Sequence, residues 1–476
     1  MPKEQLLSKS DFKKFLECPL YLWLWKYHKD LLPEDILKPG GKYIDEGKEV
    51  DELSKGLFPD GVEVKEFGEA AWVKTQELIK KKTTALIQPT VIAGELMSRA
   101  DFLVYNPDRK NWDIYEVKSS TEVKKGSRKK WYENHLVDAA FQRICWERAG
   151  MKIGSVYIVY VNRDFVRHGE VKAEFCGEER GPKGFFVKEN VTGLVAELAP
   201  EVEKEIKKAL AILKPGKDIK VKAQSLCPDH DKCYFLGVLP SPLLKSLGVE
   251  ISQVEDKDSR DIESVKTELQ KLEYPLYFFD YETYASAIPF FDGFRPYQNI
   301  TFQYSLHVRK SAGSDVEHKY YLCDEYKNPI PDLLGQLSKD LGPKGSVLVW
   351  FETFEKTRNE EMAVKHKKHA AFLRGVNERV FDLMKVFKKD RYWRKEFFGS
   401  RSLKVVAPIL VPDMLHTELV IQEGETASAS WKTLVAGELT DGDKAKLAED
   451  MLLYCGRDTE VMVKILDFLE RDIEKN

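Results

Sequence analysis

The chain has 476 residues, of which 43% are hydrophobic and 32% charged, with a formal net charge of −3. That length suggests two to four domains with substantial cores, and the near-neutral balance excludes a global basic field, so any nucleic-acid surface must come from local Lys/Arg clusters. The opening MPKEQLLSKSDF has no apolar signal-peptide core, no run approaches a membrane span, and seven scattered cysteines argue against a disulfide framework, so a cytoplasmic, soluble protein is expected.

Ser8 or Ser10 can cap a short first helix with Phe12, Phe15 and Leu16 on its apolar face. Cys18-Pro19 ends it before an aromatic stretch, Tyr21–Tyr27. Tyr43–Leu57 has helical character and carries Asp51, which reads first as a solvated acid. Leu86–Leu96 and Arg99–Tyr105 read as paired strands with Asp101 near the start of the second, and Asn106-Pro107-Asp108 supplies a turn. Trp112–Lys118 is the next strand, and the period of two puts Glu116 and Lys118 on one face. An Asp on one strand beside Glu-x-Lys on its neighbour offers two carboxylates for a divalent cation. The ammonium can stabilise developing charge or lower the pKa of an attacking water. An ordinary hairpin with surface charges would contain the same tripeptide. Trp131–Trp146 reads as a helix carrying His135 and Gln142. Cys227 and Cys233 flank His230, whereas Cys145, Cys176, Cys323 and Cys455 lack ligand spacing and read as core. Ser241–Thr267 is polar and weakly periodic, which predicts domains over 1–240 and 263–476 joined by a linker over 241–262.

The second half is organised around Lys271–Tyr284, where the apolar run Pro275–Phe279 reads as a buried strand ending in Asp280-Tyr281-Glu282. Alternation puts Asp280 and Glu282 on one face. Two carboxylates at the end of a buried strand repel each other and are costly to desolvate, and magnesium or manganese is the usual remedy. Two solvated acids at an exposed strand end would share the spacing. Thr301–Val308 reads as the hairpin partner. Tyr297, Phe302, Gln303 and Tyr304 can stack on or bond to bases, although core packing is the commoner use of aromatic strand positions. Ser346–Phe351 is a further strand running into Glu352-Thr353-Phe354-Glu355, after which Lys356 and Arg358 can contact phosphates. Arg379–Leu383 reads as a short strand containing Asp382. Lys444–Glu470 has helical period, and Tyr454 and Asp458, four apart, share a face.

These second-half motifs resemble the ribonuclease H-like DEDD exonucleases, and the tyrosine points to the DEDDy branch. Asp280 and Glu282 match the first motif, Glu355 the acid of the second, and Asp458 that of the third. Tyr454 matches the residue that orients the attacking water. The family carries Asp where this chain has Glu355, and Arg401-Ser402-Leu403-Lys404 resembles the stretch that opens a later helix. In the first half, Asp101, Glu116-x-Lys118 and Gln142 followed by Trp146 resemble the PD-(D/E)XK nucleases of the RecB family. That resemblance implies Asp101 and Glu116 as metal ligands and Lys118 and Gln142 as catalytic residues, with Asp51 near the place of a metal-facing His. Iron–sulfur members join one N-terminal Cys to three late ones. Cys18, Cys227 and Cys233 fit three of the four positions and Gln224 occupies the other. With His230 the set would instead be a zinc-type Cys3His site, and without any metal the cysteines are packed thiols.

The order of both halves resembles a family of uncharacterised prokaryotic proteins with a two-nuclease layout. It implies an α/β chain with an N-terminal PD-(D/E)XK restriction-endonuclease-like domain and a C-terminal ribonuclease H-like domain. The implied function is a metal-dependent nuclease with 3′–5′ exonuclease character that hydrolyses DNA or RNA with Mg2+ or Mn2+. A catalytically weakened nucleic-acid-binding protein is the alternative, suggested by Glu355 and the incomplete cysteine set.

Overall fold

A computed structural model describes residues 6–37, 42–126, 128–178, 180–213, 219–227, 239, 241–249, 257–397, 399–414 and 419–475. The chain divides into two compact units. One is Met1–Gln253 with Ser286–Tyr297, and the other is Val254–Ala285 with Gln298–Asn476. The stretch 241–262, expected as a linker, is partly helical. Ser241–Ser246 is helical, and Leu244, Leu247 and Val249 are buried in an apolar cluster of the first unit. Asp261 caps the helix Ile262–Leu269 of the second by accepting from Ser264 N at 2.9 Å.

The first unit contains a mixed six-stranded sheet in sequential order: β1 (Val62–Glu63), β2 (Ala85–Ile87), β3 (Phe102–Asn106), β4 (Asn111–Lys118), β5 (Ile153–Val161) and β6 (Phe186–Asn190). The pairs β1/β2 and β4/β5 are parallel and the others antiparallel. The expected pairing of 86–96 with 99–105 is more finely divided. Thr90–Ala93 pairs with Leu96–Arg99 across a turn at Gly94, whose φ of +61° favours glycine, and β2 pairs with β3. Asp101 therefore lies between strands. On β4, Trp112 and Ile114 join the main core and Tyr115 joins the core on the opposite face, so side chains of even number face one way. That face is covered by α2 (His135–Arg148), whose Phe141, Ile144 and Cys145 lie in the main core, with α1 (Lys9–Glu17) and α3 (Thr192–Ile212) completing the layer. Ser8 is the cap of α1: its Oγ accepts from Asp11 N at 3.1 Å while Ser8 N donates to Asp11 Oδ2 at 3.0 Å. Asn134 caps α2 through Leu136 N at 2.8 Å, so Trp131 falls outside the helix expected from that residue onward.

The second unit is a five-stranded sheet of β7 (Leu276–Tyr284), β8 (Ile300–Arg309), β9 (Val316–Leu322), β10 (Val347–Val349) and β11 (Val380–Asp382), in the spatial order β9-β8-β7-β10-β11. The first three strands pair antiparallel, and β10 and β11 run parallel to β7. Four helices bear on the site: α4 (Glu352–Lys365), α5 (Leu403–Leu410), α6 (Gly424–Val435) and the 34-residue α7 (Asp441–Glu474). Leu276 and Phe278 pack into one core with Val461, Ile465 and Leu466 of α7. Entry into β10 requires glycine: at Gly345, with φ +90°, a Cβ would stand 2.1 Å from the Pro275 carbonyl oxygen. Among the described residues no helix is long and apolar enough to cross a membrane.

Candidate functional site

Strand β7 pairs with β10 at Tyr277 and Phe278 and then continues past the end of β10 at Val349. Asp280 and Glu282 thus stand beyond the C-terminal edge of β10, where the chain turns into α4. Crevices at such edges are the usual ligand positions of open α/β sheets. Both acids share the face of Leu276 and Phe278, toward α7. There α7 presents Tyr454, Cys455 and Asp458. Ligand atoms of Asp280, Glu282 and Cys455 all lie within 4.8 Å of one another. Glu355, on the first turn of α4, shares a hydrogen bond with the Asp280 carboxyl, and Asp458 acts electrostatically on both Asp280 and Glu282. Asp382 caps the following turn through Met384 N at 3.1 Å and acts electrostatically on Glu355, raising it further.

Burial, then Glu282, Asp458 and Glu355, push the Asp280 carboxyl well above the usual carboxylate range. Burial and Asp458 do the same for Glu282, against a weaker downward pull from Lys404. Burial pushes Glu355 up to about 8. Glu355 is only 4% exposed, and its Oε2 has no hydrogen-bond partner. Burial beside these acids also holds the Tyr454 phenol far above its ordinary range, so it remains a proton donor. Lys404 sits 5.7 Å from the Tyr454 ring and donates to Gln422 O at 2.7 Å. A cavity of about 310 Å³ opens here, lined by Asp280, Trp350, Phe351, Lys404, Asp458 and Met462 among others. Among the described residues the cations acting on Asp280, Glu282 and Glu355 are Lys404, at Glu282, and Arg358, at Glu355, so the acids outnumber them. Hard oxygen donors and an orphaned buried carboxylate oxygen fit a divalent cation.

The first unit holds a second cluster of different electrostatic character. Glu116, 1% exposed, receives Lys118 Nζ at 2.7 Å and Lys9 Nζ at 2.6 Å on Oε1, and Gln142 Nε2 donates to its Oε2. Lys118 Nζ also donates to Asp138 Oδ2 at 2.7 Å. Asp101 Oδ2 accepts from Val117 N at 2.6 Å. Burial alone would raise Glu116, but Lys118 and Lys9 outweigh it and hold the carboxyl low. Burial would likewise lower Lys118, but Asp138 and Glu116 hold its ammonium above the usual range. Asp101 is pushed well up, first by burial and then by Glu116. Burial, then Lys118, lowers His135 to about 3, and its Nδ1 accepts from Lys124 N at 3.2 Å. The structure therefore brings together Asp101, Glu116, Lys118 and Gln142, and adds Lys9 and Asp138. Asp138 was legible as the residue four before Gln142 on one helix face. Nothing in local spacing marks Lys9, which arrives from 107 residues away.

Asp51 borders this cluster: its carboxyl is raised by burial and, less strongly, by Glu116, it acts in turn on Asp101, and it accepts from Gln88 Nε2 at 3.2 Å. The other candidates fall as follows. Tyr297 belongs to the first unit, where its hydroxyl donates to Ser119 O, so it is not grouped with the Asp280 cluster. Phe302, Gln303 and Tyr304 are buried, with Gln303 Nε2 donating to Met451 O at 3.0 Å. Lys356 pairs with Glu352 at 2.9 Å and Arg358 with Glu361 at 2.8 Å, each within α4. Cys18 and Cys227 share one buried apolar cluster with Trp23 and Leu24, while His230 and Cys233 lie outside the described residues. Gln224, in the missing cysteine's position, donates to Gly248 O at 2.8 Å.

Residues 277–402, which carry β7 through the end of the segment before α5, match a family model described as "Domain of unknown function (DUF2779)". Among curated proteins, the chain is similar to the uncharacterized protein MG366 of Mycoplasma genitalium, 25% identical over 232 residues (44% of this chain and 34% of that protein). It is also similar to the MG366 homolog of Mycoplasma pneumoniae, 26% identical over 222 residues (43% of this chain and 33% of that protein). The chain thus spans about a third of the length of these relatives. No solved structure matches it significantly. The matched family segment contains Asp280, Glu282 and Glu355 and stops short of Lys404, Tyr454 and Asp458.

Proposed function

We propose that this protein is a metal-dependent nuclease whose second-unit centre hydrolyses phosphodiester bonds of DNA or RNA as a DEDDy-type 3′–5′ exonuclease, with a RecB-like PD-(D/E)XK centre in the first unit. The observation that carries the reading is the convergence of the buried acids Asp280, Glu282 and Glu355 with Asp458 beside Tyr454. A bound Mg2+ or Mn2+ neutralises charge on the phosphate and acidifies water. In this reading the four carboxyls hold that cation, and Tyr454, kept protonated, donates a hydrogen bond that orients water or a phosphate oxygen. Lys404, on the wall of the cavity, offsets part of the negative charge of a substrate backbone. A cytoplasmic location is part of the same reading.

A second reading applies to the first unit alone, and Lys9 favours it. With Lys9 and Lys118 both on Glu116, that cluster is already neutralised and can hold a phosphate without cutting it. The test is a panel of end-labelled single- and double-stranded DNA and RNA with the full chain in Mg2+, Mn2+ and EDTA. Metal-dependent release of 3′-terminal nucleotides is expected, reduced at least about 100-fold in Asp280→Ala, since charge stabilisation of this kind is typically worth 10²–10³ in rate. Endonucleolytic products sensitive to Lys118→Ala would assign cutting to the first unit. No hydrolysis of any substrate with any metal would refute the nuclease reading.

A further inference from the structure

We propose that Cys455 makes the second-unit centre a mixed carboxylate–thiolate site that prefers a thiophilic divalent ion of the zinc class over a hard ion of the magnesium class. This rests on the reading of that centre as a metal site and adds a ligand to it. Cys455 Sγ lies 4.0 Å from Asp280 Oδ2, and its possible ligand atom falls with those of Asp280 and Glu282 inside a 4.8 Å group. A sulfur at ~2.3 Å and an oxygen at ~2.0 Å on one tetrahedral ion are separated by about 3.5 Å, so a closure of a few tenths of an ångström suffices. The independent observation is Glu355: it is buried (4% exposed), its carboxyl is bonded to Asp280 and acts electrostatically on both Asp280 and Glu282, and its Oε2 has no hydrogen-bond partner. That carboxyl is a fourth donor beside the same acids.

A buried cysteine is most often a small hydrophobe. Cys455 differs because its neighbours are Asp280, Glu282 and Asp458, which an apolar packing role does not require. Its place on α7 is also held firmly. At the next residue, Gly456, a Cβ would come within 3.2 Å of the His318 ring, so the helix lies close against the sheet. Soft thiolate donors select zinc-like ions, whereas an all-oxygen set suits magnesium and manganese. Binding is balanced by the thiol proton: the sulfur–metal bond forms as one proton leaves Cys455 for solvent, so affinity for such ions rises with pH.

Cobalt(II) added to the metal-stripped full chain tests this, because a cobalt–thiolate bond gives a charge-transfer absorption band. The band is expected in the wild type and lost in both Cys455→Ser and Asp280→Asn. Competition of the same samples with Zn2+ should show Cys455→Ser weakening zinc by about 10–100-fold, the range seen when a metal site loses supporting groups. Mn2+ binding, followed by its electron-spin signal, should change less. Cys455→Ala serves where the serine variant fails to fold. A band that is absent from the wild type, survives in Cys455→Ser, or is unaffected by Asp280→Asn overturns the proposal. Asp280-dependent Mn2+ binding without the band overturns the thiolate ligand alone. Loss of all Asp280-dependent metal binding overturns the metal reading with it.

Discussion

At Asp280 the cost of burying one acid beside three others is met either by a proton or by a cation. The two remedies make opposite demands on a neutral replacement. Asp280→Asn relieves the repulsion, so the metal-free protein is expected to gain about 1 kcal/mol, or a few degrees in melting temperature. The same variant should lose the stabilisation that Mn2+ confers on the wild type. Calorimetry in EDTA and in Mn2+ reads both, and a metal-dependent rise equal to that of the wild type would refute the ligand assignment. Lys118 presents the contrary case. It is shared by Glu116 and Asp138, both almost fully buried, and its removal leaves two carboxylates with one cation fewer. Lys118→Met is expected to destabilise by about 3 kcal/mol, as for other broken buried pairs, measured by chemical denaturation. A loss below about 0.5 kcal/mol, the range of neutral surface changes, would mean that Lys9 alone satisfies Glu116.

Helix α7 is the element that assembles the second centre, and a polar latch seats it. Thr459, next to Asp458, lies 2.7 Å from Ser305 Oγ and 2.8 Å from His307 Nδ1, and Ser305 is 2.9 Å from His318 Nε2. Thr459→Val removes the hydroxyl from this buried set and should cost about 1–3 kcal/mol. Because the latch sits beside Asp458, activity should fall further than stability alone explains. The His307 and His318 rings stack with centroids 4.2 Å apart. Burial, then the neighbouring His318, lowers His307 to about 4, and burial lowers His318 too. A depressed folded-state pKa means the unfolded chain takes up protons first. Stability present above pH ~6.5 should therefore be lost as the pH falls toward about 4. Melting curves between pH 7 and 4 check this, and His307→Gln should flatten part of the slope. On the other side of the site, α6 is anchored by Trp431, which stacks on Phe302 at 4.8 Å and donates from Nε1 to Cys323 O at 2.8 Å.

Over the whole molecule, the net charge of −3 means that any hold on nucleic acid is local and modest in its ionic part. Lys356 and Arg358 are already paired with acids of their own helix, and among the described residues that line the second cavity Lys404 is the cation. Binding of a single-stranded 20-mer to Asp280→Asn should then weaken by only about 3-fold between 50 and 200 mM salt, as for one phosphate neutralised. A loss near 10³-fold or more would require a larger basic surface than these residues provide. Fluorescence anisotropy measures the slope.

Local periodicity was enough to read several elements from the chain alone. The period of two placed Glu116 with Lys118 and Asp280 with Glu282, and the helical period placed Tyr454 with Asp458. These relations hold within a few residues and need no partner. Lys9 and Cys455 were not legible as site residues. Lys9 reaches Glu116 across 107 residues, and Cys455 gains meaning only from the acids of another element packed against α7. The division of 85–106 into two pairings turned on positive φ at Gln88 and Gly94, which the run of apolar residues around them obscured. The charge balance of the two centres was likewise a tertiary outcome. Both clusters are rich in acids in the sequence, but packing delivered two lysines directly onto Glu116 and set Lys404 near Glu282 without a direct bond among the described residues, because it is the fold, and not the spacing, that decides which long-range partners meet.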